Sequence, residues 1–332
     1  MPVQLSAKLA PHALDIQTID QQPTRSGFGE GLVIAGDNDE RVVALCADLT
    51  ESTRMELFAR KYPKRFIEAG IAEQNLASVA SGLARAGKIP FIASYAMFSP
   101  GRSWEQVRTT ICYNDMPVKI VGSHAGVSVG PDGATHQAIE DIAITRVLPR
   151  MQVLVPCDMI EARKATIAAS KTSSPTYIRL TREKTPVFTT EGSPFEIGKA
   201  EIFYESPGGA DVALIGCGPL LHNALLAAVK LEKKGHRAIV VNVHTIKPLD
   251  IRTIVDVARR AGAVVSVEEH QIAGGLGSAV AEVLAANHPV PMEFIGVKDR
   301  FGESGEPKEL IEHFGMGVSH IVVAAERAVS RK

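Results

Sequence analysis

The alternation of short apolar runs with helix-forming stretches constrains this chain more than any other feature. VVALCADL (42–49), RFIEAG (65–70), IPFIAS (89–94), VKIVGS (118–123), VLVP (153–156) and TYIRL (176–180) read as strands. Helical segments lie between most of them, including ESTRMELFARKY (51–62) and a run from about Glu73 to Ala86. Strands apolar along nearly their whole length, interrupted by helices, predict a parallel sheet covered on both faces. A stretch rich in Pro, Gly, Thr and Glu then breaks the pattern (182–211). The alternation restarts with DVALIGCG (211–218), AIVVNVHTI (238–246), AVVSVEE (263–269) and MEFIGV (292–297), with helices starting near Pro219, Asp250, Gly275 and Pro307. The expected fold is α/β with two doubly wound domains, over 24–190 and 195–330, after an N-terminal arm (1–23). A length of 332 residues suits two such domains.

A formal net charge of −1 and the lack of any basic run argue against a nucleic-acid or anionic-membrane surface. No apolar stretch approaches the roughly 20 residues needed to cross a bilayer. The first residues show neither a secretory nor an organellar targeting pattern and read as a loosely ordered arm. Cys46, Cys112, Cys157 and Cys217 are widely spaced with no CxxC pair, which favours buried reduced thiols and a cytoplasmic protein.

In open parallel sheets, ligands bind in loops beyond the carboxyl ends of the strands. That rule gathers Asp48, Glu73, Ser94, Tyr95 and His124 on one edge. Glu73 opens a helix, where a carboxylate is favoured by the N-terminal partial charge. It also suits an acid held in a poorly hydrated cleft to share a proton with a ligand nitrogen. SYAMFSPGRSW (94–104) places Tyr95, Phe98 and Trp104 in one loop of a chain that is only 5% aromatic. They read either as local packing or as a platform for a flat ligand.

The segment GSHAGVSVGPDGATHQAIEDIA (122–143) is a long glycine-rich loop framed by His124, Asp132 and His136, with Thr135 placed to cap the next helix. The histidines suit proton or hydrogen-bond donation to an oxyanion, or a structural role. Their spacing does not favour a metal site. Arg179 and Arg182 suit capture of a phosphate or carboxylate, or form a solvated basic face. AGGLGSA (273–279) lacks the third glycine of a dinucleotide loop and reads as a tight start to a helix.

CADLTES, GIAEQN, YAMF, GPDGATHQ and FGESGEPKELIEHFG, in that order, make the chain resemble the transketolase family over about Thr24 to Ala328. The resemblance covers the family's pyrimidine-binding and C-terminal domains. It implies a subunit that binds thiamine diphosphate and transfers a two-carbon ketol group between sugar phosphates, as in the pentose phosphate pathway. Glu73 matches the glutamate that hydrogen-bonds the aminopyrimidine, Phe98 the aromatic stacked on that ring, Tyr95 its neighbour and Asp48 a nearby acid. His136 matches a histidine assisting proton movements on the substrate hydroxyl, and Asp132 a carboxylate that recognises a hydroxyl. Arg25, Ser52, His124 and Arg182 match the funnel holding the sugars and their phosphate.

The family's Gly-Asp-Gly stretch, which holds the diphosphate through Mg²⁺ (or Ca²⁺), occurs nowhere in this sequence. The resemblance therefore implies a partner subunit carrying the diphosphate-binding domain, with this chain a homodimer inside an α2β2 complex. Ser52 and His124 before Ala125-Gly126 follow the transketolase pattern rather than that of 1-deoxyxylulose-5-phosphate synthase. Related alternatives are that synthase, a 2-oxo acid dehydrogenase β subunit, a transketolase for an unusual sugar, or a non-catalytic binding subunit. One departure stands out: Arg102 lies near an expected tyrosine. The second domain carries no residue assigned to chemistry and is expected to serve dimer contact.

Overall fold

The computed structural model describes residues 7–332. Its strands in the first half are β1 (Gln21–Gln22), β2 (Val42–Cys46), β3 (Phe66–Glu68), β4 (Ile89–Tyr95), β5 (Lys119–Ser123), β6 (Gln152–Leu154), β7 (Thr176–Arg179) and β8 (Thr185–Pro186). The second half contributes β9 (Glu201–Glu205), β10 (Val212–Gly216), β11 (Ala238–Asn242), β12 (Thr245–Lys247), β13 (Val264–Gln271) and β14 (Met292–Val297).

Two parallel-dominated sheets carry the chain. The first has the order β12-β6-β7-β5-β4-β2-β3, the second β14-β13-β10-β11-β9, and β1 and β8 form a short antiparallel ribbon. Interior strands such as β2, β5 and β10 are buried at every residue, as continuous apolar runs require when helices cover both faces. Two doubly wound α/β units result, as the alternation predicts.

One expected strand divides. The run 238–246 breaks after Asn242: β11 stays parallel to β10, while β12 crosses to pair antiparallel with β6, Thr245 opposite Leu154. A strand from the second half thus closes an edge of the first sheet, and the two halves interlock.

The helix Thr24–Asn38 was not legible in the sequence. It contains four glycines, at 27, 29, 31 and 36, which normally oppose helix formation. Here they permit contact: a Cβ at Gly31 would lie 2.8 Å from the Arg163 carbonyl oxygen on the helix Met159–Ser170. Close packing replaces propensity.

The segment expected to be loose is docked in its described part. Ala13 is fully buried, its carbonyl accepts from His222 Nε2 at 2.8 Å, and the Lys8 carbonyl accepts from the hydroxyls of Thr190 and Ser193. Residues 1–6 lie outside the described residues. In the helix Glu73–Arg85 the small residues Ala77, Ala80, Ser81 and Ala84 face inward, and Ser81 donates to the Thr110 carbonyl at 2.6 Å. The element that packs closely there belongs to this same chain. All four cysteines are buried free thiols. No helix among the described residues is long and apolar enough to cross a membrane.

Candidate active site

Glu73 is the first residue of its helix and only 2% exposed. The turn before it is built by an acid that sequence reasoning passed over. Glu68, at the end of β3, accepts from the backbone N–H groups of Asp48 (2.7 Å) and Gly70 (2.9 Å) and from the Thr50 hydroxyl (2.8 Å). It ties the end of β2 to the start of the Glu73 helix. Gly70 takes φ +69° in this turn, a conformation glycine adopts without penalty. Asp48 is exposed at φ +57° beyond β2.

The loop after β4 delivers the aromatic residues. Tyr95 lies nearly parallel to Phe98, with centroids 6.1 Å apart, and stacks on His124 at 3.8 Å. His136 meets the Phe98 ring edge-on at 5.4 Å. Arg102, four residues beyond Phe98, lies over that ring at 5.0 Å and donates through Nη1 to Glu73 Oε2 at 2.7 Å. Tyr95, Phe98, His124 and His136 are therefore one contiguous group, joined to Glu73 through Arg102; the strand-end rule anticipated Glu73, Tyr95 and His124 among them.

The histidines differ in character. His124 is buried at φ +56°, with Nδ1 2.8 Å from the Ser123 hydroxyl. Burial, reinforced by the positive charges of Arg25 and Arg182, pulls its imidazole down to about 3. That favours an uncharged, hydrogen-bonding imidazole at neutral pH. His136 is partly exposed and pairs through Nδ1 with the Thr135 hydroxyl at 2.9 Å. Thr135 does not cap a helix, because the next helix begins only at Asp141. Its hydroxyl fixes the imidazole instead.

Arginines flank this group. Arg25 opens into the site from the first turn of its helix and donates to the Ser52 carbonyl at 2.6 Å. Ser52 contributes that backbone oxygen. Burial first, then the charge of Arg54, lowers the Arg25 pKa, and its Nε is buried without a partner. An anion would relieve both conditions. Arg54, held at φ +66°, is a further cation that sequence reasoning missed. Arg182 donates to the Val129 carbonyl at 2.8 Å and lies 3.4 Å from Asp132 Oδ1, so the two expected substrate contacts are joined to each other. Arg179 does not belong with Arg182. It is 3% exposed and bonds Asp141 at 2.8 Å and the Glu269 carbonyl at 2.8 Å, a structural tie between the halves.

The second half supports the long loop directly. Gln137 donates its amide to the carbonyls of Val127 (3.0 Å), Gly130 (3.2 Å) and Glu303 (2.9 Å). Glu269 accepts from Ser128, and a Cβ at Gly130 would touch Pro307. The FGESGEP stretch is thus a brace for the His124–His136 loop, a role the expectation of dimer contact alone did not include. AGGLGSA does begin a helix, Leu276–Asn287, whose first amides bind Glu268. Among the described residues, no group of three or more His, Cys, Asp or Glu side chains stands ready to hold a metal ion.

Two interlocked α/β units, with a buried acid, stacked rings and arginines gathered beyond the strand ends of the first, make a candidate ligand site. Residues 20–187 match the transketolase pyrimidine binding domain, and residues 198–321 the transketolase C-terminal domain. The chain belongs to the transketolase family. It is 42% identical to a transketolase C-terminal section of Methanocaldococcus jannaschii, over 88% of this chain and 92% of that one. It is 39% identical to a 6-deoxy-6-sulfo-D-fructose transketolase subunit of Clostridium sp. (strain MSTE9), over 95% and 97%. Among solved structures, a split gene transketolase described as an inactive β4 tetramer superposes with a TM-score of 0.87 at 44% identity, covering 93% of this chain and 99% of that one.

Proposed function

We propose that this chain is the pyrimidine-side subunit of a two-chain, thiamine-diphosphate-dependent transketolase, its first 190 residues holding the cofactor's ring and its last 140 or so bracing the substrate loop. The observation that carries the reading is the buried Glu73 carboxylate joined through Arg102 to the Phe98 ring, which meets His136 edge-on.

The residues present fit an aminopyrimidine. A flat ring with an N–H edge needs a desolvated acceptor and an aromatic face, and Glu73 and Phe98, both in contact with Arg102, provide them. Ser99 and Ser103, in the same loop, have buried hydroxyls without partners. When bound, thiamine diphosphate supplies the nucleophilic carbon that carries the two-carbon unit.

This chain's own groups do the rest. Glu73 shares a proton with the ring nitrogen, in a site whose dryness strengthens the contact. Phe98 and Tyr95 exclude water and fix the plane of the ring. His136, oriented by Thr135, moves a proton at the substrate hydroxyl. His124, uncharged, hydrogen-bonds the sugar without adding charge. Arg25 and Arg182 hold the anionic end of the sugar and Asp132 one of its hydroxyls.

A Mg²⁺ or Ca²⁺ ion would be held mainly by the partner subunit, with the diphosphate. A heterotetramer with this chain as its central dimer accords with the split relative and its β4 state. The buried thiols favour a reducing, cytoplasmic setting. Ketose and aldose phosphates of the pentose phosphate pathway are the primary substrates in this reading. The sulfofructose relative favours a second reading, a sugar with a different anionic end, on the same arginines.

The test is Glu73→Gln in the assembled enzyme. Turnover should fall by about 10²–10⁴-fold, the span for positioned acid–base groups, with substrate KM little changed. Near-normal turnover would remove Glu73 from the mechanism.

A further inference from the structure

We propose that Arg102 is a latch on Glu73, closed in the lone chain and exchanged for the aminopyrimidine when the cofactor binds. The proposal rests on the reading of Glu73 given above.

Phe98 and Arg102 lie four residues apart across a kink at Ser99, where the backbone leaves the helical region, and the kinked loop brings the guanidinium over the ring. The guanidinium bonds Glu73 Oε2 at 2.7 Å while its carbon lies 5.0 Å from the centre of the Phe98 ring. A planar, delocalised cation thus makes both contacts that a flat heteroaromatic ring would need, the carboxylate and the aromatic face. Two planar groups cannot occupy that space together.

Burial of the pair is one-sided. The Glu73 side chain is 2% exposed and that of Arg102 is 50% exposed. Arg102 can swing into solvent and be rehydrated, whereas Glu73 cannot. Departure of Arg102 alone would strand a buried carboxylate, which is strongly unfavourable. The latch therefore opens by exchange, as another donor arrives.

The exchange also has chemical consequences. A guanidinium does not give up its proton, so a latched Glu73 is an acceptor only. Proton sharing with a ring nitrogen requires that Arg102 has left. The lone subunit keeps its buried acid neutralised and its apolar ring covered until the cofactor is there.

The test uses the full chain by itself, with thiamine as probe. Binding is read by equilibrium dialysis and by the emission of Trp104, the single tryptophan, two residues beyond Arg102. Arg102→Ala should bind thiamine about 10–100-fold more tightly than the parent chain, the effect of removing one charge-assisted competitor. Arg102→Gln leaves Glu73 a neutral donor and guards against misfolding of the alanine variant; its gain should be smaller. In a Glu73→Gln background neither substitution should improve binding. Measurable thiamine affinities that are equal with and without Arg102, or weaker without it, overturn the latch while leaving the pyrimidine site standing. Failure of every variant to bind thiamine also overturns the latch, while the pyrimidine site itself stands or falls with Glu73→Gln in the assembled enzyme.

Discussion

Glu269, near the end of β13, accepts a hydrogen bond of 2.6 Å from the backbone N–H of Ser128, inside the loop that runs from His124 to His136. Arg179 Nη2 donates at 2.8 Å to the carbonyl of the same glutamate, and Arg179 Nε bonds Asp141 at 2.8 Å. The second half of the chain therefore sets the position of a loop whose side chains belong to the first.

Glu269→Ala should loosen that loop without unfolding the sheets. An unmade hydrogen bond of a buried polar group costs about 1–3 kcal/mol. If that cost falls on the positioned state, kcat/KM of the assembled enzyme drops by roughly 10–100-fold. Glu269→Gln, which can still accept from Ser128, should retain more activity. Steady-state kinetics with both variants checks this, and an unaffected alanine variant contradicts it.

The depressed His124 makes a prediction about pH. Above about 6.5, its ordinary value, the imidazole is neutral in folded and unfolded chains alike, and the stability it contributes is complete. Below that value the unfolded chain takes up a proton that the folded one refuses until about 3. Stability should decline as pH falls through this window. Imidazole NMR should show His124 uncharged at pH 5, and urea unfolding should show a smaller loss between pH 7 and pH 5 in His124→Gln than in the parent. A His124 signal that titrates near 6.5 contradicts the burial argument.

Arg182→Ala should raise KM for phosphorylated sugars far more than for unphosphorylated ones, since a guanidinium offers paired donors to a phosphate dianion. Assays with sugars ending in phosphate, sulfonate and hydroxyl check this. Equal effects on all three would mean that Arg182 acts only through its bonds to Val129 and Asp132.

Two glycines should respond to alanine in opposite directions. At Gly31 a new Cβ would lie 2.8 Å from both the Arg163 carbonyl oxygen and Thr166 Cβ, and overpacking of this kind costs about 1–3 kcal/mol. At Gly82, on the exposed face of the Glu73–Arg85 helix, a Cβ meets nothing within 4 Å. There the helix preference for alanine, about 1 kcal/mol, should prevail. Urea midpoints of the two variants should move down and up respectively.

The strand order's parts were legible because a doubly covered sheet demands near-continuous apolar runs. Those runs at 42–46, 119–123 and 212–216 are buried throughout. The helix Thr24–Asn38 was hidden because its glycines serve contact with another helix, and a local pattern does not report a distant neighbour. The break after Asn242 was hidden for a related reason: Thr245–Lys247 looks like more of the same strand, and only the free edge at β6 draws it away. At the site, Glu73, Tyr95 and His124 stood at or just after strand ends where topology gathers ligands, while Phe98 and His136 were singled out by their loops and by the family resemblance. Glu68 went unnoticed although its position, an acid ending a strand before Ala69-Gly70, was available as a signal. Glu269 had no such signal, because its partner Ser128 lies 141 residues away.

The most direct test measures ketol transfer from a ketose phosphate to an aldose phosphate by this chain, alone and mixed with a second chain bearing the diphosphate-binding domain. Thiamine diphosphate and Mg²⁺ are present in both arms. Activity that arises only on mixing, with this subunit saturating at a fixed ratio to its partner, is the predicted result. Full activity of this chain by itself would contradict the account.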